Sequence, residues 1–412
     1  MKKRVYFKIL LFILTFIYLL ASSVQARDNF ALSVATQFNG LNTVKDMNNA
    51  ANSYADAGYH SYGITDPTAQ QLWENLYADV QFFSTHGGLN NIEFSQTGII
   101  VGDTGNYNIN GTTKQMIGTN AVHWDADTIL VTYSSCRSAG ENDQSNANSI
   151  TAQTAQRGAD VAVGFRDDIN SGSSTNWNER YNERLAAGYG VYDSVEYANS
   201  FIYLFPNVKK VQIWHHGDSN IKIGKYRSNS IVNDDRNLLK NTKSILDNDA
   251  ALDIIKESNP EFDINNYERI ETNGIGVSEV GHDNNNLMTK YVDLQLKVGE
   301  FYTNAGYTIV SEGNTITAIY DNNVDIEKQN AILNSRESNI LQLTENEINI
   351  LKDEAIAKIK TNDEIELLEE NITYKYYLDI ETNKRYIIFS IPNKIKNSEL
   401  DSIAYSNVEI EI

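Results

Sequence analysis

The chain has 412 residues, 41% of them hydrophobic and 10% aromatic, too apolar for a disordered protein and too polar for a bundle of membrane spans. Lys and Arg number 34 against 54 Asp and Glu, and a net charge of −20 opposes binding to phosphate backbones or anionic membrane surfaces. A single cysteine excludes intramolecular disulfides and every paired-cysteine metal or redox motif.

The length suggests two or three domains. The first 26 residues read as an export signal. Lys2, Lys3 and Arg4 form a basic start, residues 9–21 form an apolar run, and Val24 and Ala26 place small side chains where a signal peptidase reads. Cleavage after Ala26 is the expectation, giving a secreted protein; the run is short for a transmembrane helix, and an uncleaved anchor is the alternative. Without Lys2, Lys3, Arg4 and Lys8, 30 bases face 54 acids, so the mature chain carries −24. Outside the cell a lone thiol is an oxidation liability, so Cys136 is either buried filler or present for its chemistry.

From residue 28 to about 260, short apolar runs alternate with amphipathic segments. Strands are expected at 30–36, 79–84, 128–134, 159–165 and 208–214. Helices are expected at 43–57, 68–77, 150–157 and 177–187, with Gly58 and Gly158 as stops. The Gly-, Asn- and Thr-rich segment 105–119 reads as a hairpin or loop insertion. Strands alternating with helices, and nearly continuous apolar strands, imply an α/β fold with a mostly parallel sheet covered on both faces. Residues 226–265 read as an acidic helical linker. Beyond it, 275–320 alternates like strands, 341–359 has helical spacing, and 372–378 with 385–391 reads as a hairpin closed by Glu381, Thr382 and Asn383. This α+β accessory region, 266–412, resembles PepSY-type domains in that pattern and in the run Asp353-Glu354-Ala355-Ile356-Ala357.

Two strand ends carry reactive side chains. The strand at 79–84 leads into His86-Gly87-Gly88, and that at 128–134 leads into Ser135-Cys136, 50 residues after the histidine. In open parallel sheets ligands bind beyond the carboxyl ends of the strands. A free thiol is only a few per cent thiolate at neutral pH, so a cysteine nucleophile needs a base. An imidazole supplies one and can protonate a departing amine. Glycine beside the histidine lets a backbone N–H approach closely. The Gly87 and Cys136 amides together would make an oxyanion hole, each such donor being worth roughly 3 kcal/mol in hydrolases.

Apolar strand, His-Gly, spacer, apolar strand, Cys: this order resembles the caspase-like (clan CD) cysteine peptidases, nearest to secreted bacterial clostripain- and gingipain-like members. The run 157–165 resembles the strand after the nucleophile in bacterial members; the likeness covers roughly residues 30–225, and 27–225 is expected to be the peptidase domain. It implies a caspase-like sheet, with Cys136 as nucleophile, His86 as catalytic histidine, Gly87 as oxyanion donor and a protein or peptide as substrate. Clostripain-like members often carry an acid two residues before the cysteine. Here Ser134 stands there, and the caspase Gln-Ala-Cys context is absent, so neither a basic nor an acidic preference is inherited. In basic-specific relatives an acid from the region after the next strand lines the specificity pocket. Asp167 or Asp168 would fill that place and favour Arg or Lys.

Other features are weaker. His215 and His216 are adjacent on a strand and point to opposite faces, which disfavours a shared metal. No metal or other cofactor is expected, with calcium at the acidic segment 321–325 or at Asp283 as the exception to test; no EF-hand spacing is present. The expectation is a secreted cysteine endopeptidase. The rival is a catalytically inactive caspase-like binding module exported to the cell surface, in which Cys136 is buried, unreactive and far from His86. The substrate, the activation route and the oligomeric state are not legible.

Overall fold

The computed structural model describes residues 29–109, 112–124, 128–201, 203–223, 238–241, 248–281, 287–322, 324–334, 343–359, 365–395 and 403–412. The export-signal segment and Asp283 lie outside them.

The fold is mixed α/β, a large sheet flanked by helices. β1 (Phe30–Ala35), β2 (His60–Thr65) and β3 (Val80–Ser84) are parallel, with β1 in the middle. A satellite of short strands follows: β4 (His86–Gly88), β5 (Asn91–Glu93), β6 (Thr97–Ile100), and the hairpin β7 (Gly105–Ile109) with β8 (Thr112–Gly118). β9 (Leu130–Ser134) adds parallel to β3, β10 (Val161–Phe165) parallel to β9, and β11 (Val211–His215) antiparallel to β10. The core order is therefore β2-β1-β3-β9-β10-β11. β3, β9 and β10 are buried along their whole length, as strands covered on both faces must be. Gln81 is tolerated inside β3 because its side-chain amide donates to the Leu76 and Ala78 carbonyls at 2.8 and 3.0 Å.

Five helices cover this sheet. α1 (Val44–Asp56) turns Met47, Ala50 and Tyr54 inward and is stopped by Gly58 in the left-handed region. α2 (Ala69–Asn75) starts at a Thr68–Gln71 capping box. α3 (Ile150–Gln156) and α4 (Ser171–Ala186) follow, then α5 (Val191–Asn199). α4 begins six residues before the expected 177. The Ser- and Gly-rich start has weak helix propensity, but the Asn170 side chain accepts from the Gly172 and Ser173 amides and fixes the first turn. The strand expected at 208–214 is preceded by a 3₁₀ turn, Pro206–Lys209, with proline where no N–H is needed.

The sheet does not end at β11. β12 (Tyr267–Glu279) pairs parallel with it and opens an antiparallel meander through β13 (Leu287–Val298), β14 (Phe301–Glu312) and β15 (Thr315–Asp321). The region expected as a linker supplies strand Leu238–Asn241, paired with β15, and α6 (Asn248–Ser258), whose Ala251 and Ile255 pack with Leu294, Tyr307 and Ile309. α7 (Ile326–Asn334) and α8 (Glu345–Ile359) precede the expected hairpin, β16 (Thr373–Asp379) with β17 (Lys384–Ile395). β18 (Ile403–Glu411) pairs with β17, and Ala355 and Ile359 pack on Ile387, Phe389, Val408 and Ile410. β16 joins β14, and β18 reaches back to β4 at Ile403–Gly87. The hydrogen-bonded ladder thus leaves the core at β11 and returns to it beside His86.

Candidate functional site

β3 and β9 are neighbours in register, with Ser84 opposite Ser134. His86 and Cys136 each lie two residues beyond that pair, so matched strands deliver both side chains to one sheet edge. The Thr85 N–H donates to the Ser134 carbonyl at 3.3 Å, carrying the contact past the strand ends. Gly87 then packs against the turn that holds Cys136. A Cβ there would stand 2.6 Å from Ser135 Cβ and 3.1 Å from the Cys136 carbonyl oxygen, so the position admits only glycine without movement. The Gly87 backbone therefore lies directly against the turn that carries Cys136.

The turn after Cys136 is tightly stitched. Arg137 has φ +52°, a left-handed conformation rare for an L-residue. It persists because the Arg137 N–H donates to the Asp167 carbonyl at 3.1 Å and the Ala139 N–H to the Phe165 carbonyl at 2.9 Å. The Ser138 hydroxyl bridges the Tyr133 and Ser135 carbonyls and accepts from the Phe165 amide. The Cys136 thiol is 4% exposed; it accepts from the Ile169 N–H at 3.4 Å and donates to the Ile169 carbonyl at 3.6 Å. Burial pushes this thiol well above its ordinary range, and the nearby Asp168 charge adds to the effect.

His86 is fully buried, edge-on to Phe38 at 5.4 Å between ring centres. Its Nε2 lies 3.0 Å from the Phe38 carbonyl oxygen, and Nδ1 has no hydrogen-bond partner. A carbonyl can only accept, so Nε2 carries the hydrogen and Nδ1 the lone pair. Burial lowers the pKa to about 4, so the ring is neutral at pH 7. The pair rests as thiol and imidazole rather than thiolate and imidazolium.

Beneath the pair lies a polar spine that sequence reasoning missed. Asp46, on α1, is buried; its Oδ2 accepts from Ser84 Oγ at 2.8 Å and from Asn178 Nδ2 at 3.0 Å. Asn178 also donates to Ser134 Oγ at 2.9 Å, so one network holds the last residues of both strands. Burial raises the Asp46 pKa, against hydrogen bonds from Thr175, Ser84 and Asn178. A signal was present: Asp46, Ala50 and Tyr54 share one helix face, and an acid on a buried stripe is unusual.

The two acids expected at a specificity pocket are otherwise engaged. Asp168 takes a two-pronged contact from Arg137, Nε at 2.7 Å and Nη2 at 3.1 Å. Asp167 accepts from Lys210 Nζ at 2.7 Å. Neither lines the cavity beside Cys136. That cavity, about 20 Å³, has room for one water and is walled by Leu41, Thr43, Ser84, Thr85, Ser134, Ile169, Ser171, Ser174 and Tyr405. A larger cavity of about 570 Å³ between α4 and the C-terminal sheet contains neither Cys136 nor His86. Another, about 430 Å³, includes Asp321 and Asp325 from the segment expected to test calcium, with Glu327 just beyond it. Among the described residues no group of three His, Cys, Asp or Glu is placed to hold a metal ion. His215 is buried and His216 exposed, on opposite faces as their spacing requires. No helix among the described residues is long and apolar enough to cross a membrane.

The chain matches no model of a known protein family and has no detectable match among curated proteins.

Proposed function

We propose that the chain is a cysteine peptidase of caspase-like architecture, with Cys136 as nucleophile and His86 as general base and acid. One observation carries this reading: register-matched parallel strands end at a histidine whose Nε2–H is fixed by a backbone carbonyl, leaving Nδ1 unpartnered, and at a cysteine against which only a glycine fits. The core order β2-β1-β3-β9-β10-β11, with the last strand reversed, supports the caspase-like comparison.

In this mechanism Nδ1 takes the thiol proton as Cys136 Sγ adds to the scissile carbonyl carbon. The Gly87 and Cys136 amides receive the oxyanion. The imidazolium then gives its proton to the amide nitrogen, the C–N bond breaks, and a thioester remains. Nδ1 next takes a proton from water, the hydroxide adds to the thioester carbon, and the returning proton releases the thiol. The neutral resting pair fits this base-assisted route, since no thiolate exists beforehand.

The elevated thiol pKa and 4% exposure also favour a second reading, an inactive binding module of the same architecture. The test is hydrolysis of a mixed peptide library by the full chain, before and after limited proteolysis, with product termini read by mass spectrometry. Cleavage that disappears in both Cys136→Ala and His86→Ala is expected. No Cys136-dependent cleavage in either state overturns the peptidase reading and leaves the binding module.

A further inference from the structure

β18 crosses the sheet edge where Cys136 and His86 emerge. At its start Ile403 is the antiparallel partner of Gly87, the residue after the histidine. Two residues on, Tyr405 bridges in parallel to Asn170, which follows the Ile169 that holds the thiol. The tyrosine side chain is itself a wall of the cavity beside Cys136. Ser406 Oγ donates to the Gly40 carbonyl at 3.0 Å, the Asn407 N–H donates to Ser171 Oγ at 3.2 Å, and the Asn407 and Asn170 side-chain amides bond to each other. The strand is thus tied to the segments beyond β1, β3 and β10, the three that frame the site. Burial, with the Asp168 charge behind it, pushes the Tyr405 phenol up to about 12.

An extended segment that adds backbone pairing on either side and drops one side chain into a cavity is how strand-addition sites hold peptides. We propose that β18 occupies the place of a bound peptide, that this place accepts an extended peptide with an aromatic side chain where Tyr405 sits, and that β18 keeps Cys136 sealed until displaced. That such a peptide is a substrate rests on the peptidase reading above; the sealing does not. The aromatic choice follows from the walls. Leu41 and Ile169 offer apolar surface, Ser and Thr hydroxyls offer partners for a phenol, and no charged residue is among them. A Lys or Arg would need a partner charge. Asp167 and Asp168 are spent on Lys210 and Arg137, and Asp46 lies behind Ser84 with Oδ2 already occupied.

The test reads access to the thiol and needs no turnover. The full chain is treated with iodoacetamide, and Cys136 is quantified by peptide mapping in wild type, Tyr405→Phe, Tyr405→Ala and Asn407→Ala. Losing the aromatic anchor is expected to speed modification about tenfold in Tyr405→Ala, with Tyr405→Phe near wild type. Asn407→Ala leaves the cavity intact but unties the strand, and is expected to speed it less. Wild-type melting curves for the variants separate release of β18 from unfolding. A synthetic peptide of residues 401–412 added at millimolar concentration to Tyr405→Ala should slow modification again, whereas the same peptide with Ala or Lys at the tyrosine should not. Equal modification rates in wild type and in two well-folded loosened variants overturn the seal. Better protection by the Lys peptide overturns the aromatic site and assigns Asp46 as its partner. Fast labelling of Tyr405→Ala without library cleavage leaves the seal standing and removes the peptidase reading alone.

Discussion

A ring that donates from Nε2 to Phe38 has committed its tautomer, and its burial has committed its charge state. That has a measurable price in acid. An unfolded histidine titrates near 6.5 and this one near 4, so between those values the unfolded chain binds the extra proton. The stability of the neutral ring is complete above pH 6.5 and is lost as pH falls toward 4, by roughly 3 kcal/mol. Wild type should therefore lose more melting temperature than His86→Gln between pH 7 and pH 4; parallel curves would contradict the buried neutral ring. Gly87→Ala forces a methyl into Ser135 and the Cys136 carbonyl and should destabilise the fold by about 1–3 kcal/mol in urea melts. It should also remove Cys136-dependent hydrolysis. The delivery of His86 and Cys136 to one sheet edge could be expected from sequence because each follows an apolar strand of one parallel sheet. The engagement of Asp167 by Lys210 and of Asp168 by Arg137 was not legible, because a sequence does not show which side chains stand within ion-pair distance.

Elements were legible where hydrophobic period or turn chemistry was strong. β3, β9 and β10 read as continuous apolar runs, and the 105–119 insertion and the C-terminal hairpin read from their turn residues. The start of α4 was not, since Ser171, Gly172, Ser173 and Ser174 read as loop until Asn170 is seen to cap them. Asn170 does double duty: it caps α4 and its side chain meets Ser390 at 2.8 Å and Asn407. Asn170→Ala should lower stability by about 1–2 kcal/mol and also loosen β18, whereas Asn170→Asp should keep the cap. Amide exchange in the first turn of α4 checks the cap; unaltered exchange in Asn170→Ala would count against it. The 3₁₀ turn before β11 places Lys209 in the interior, where Nζ lies 2.7 Å from both carboxylate oxygens of Asp293. Lys209→Met leaves that carboxylate buried without its ammonium and should destabilise by about 3–5 kcal/mol, with much of the loss recovered in Lys209→Met/Asp293→Leu. Additive single-variant losses in denaturant melts would contradict this coupling.

At the scale of the whole molecule, the two regions separated in the sequence by composition are not separated by their ladders. β11 pairs with β12, Lys209 with Asp293, and the buried Arg166 guanidinium donates to the Asn273 and Gly274 carbonyls. Calorimetry should show one cooperative transition for the full chain; two well-separated transitions would mean these contacts are weak. Composition could mark a change of texture near residue 225, but long-range pairing leaves no local trace, so neither the β11–β12 ladder nor the return of β18 to Gly87 was legible.

That return also has a direction in time. The strands and loops that frame Cys136 are complete by α4, while Tyr405 lies roughly 220 positions further along the chain. At synthesis rates of about 5–20 residues per second the interval is on the order of 10 to 45 seconds. For that interval nothing from β18 lies across the Cys136 thiol. Whatever accompanies the nascent chain meets the site open, and only the finished chain meets it closed.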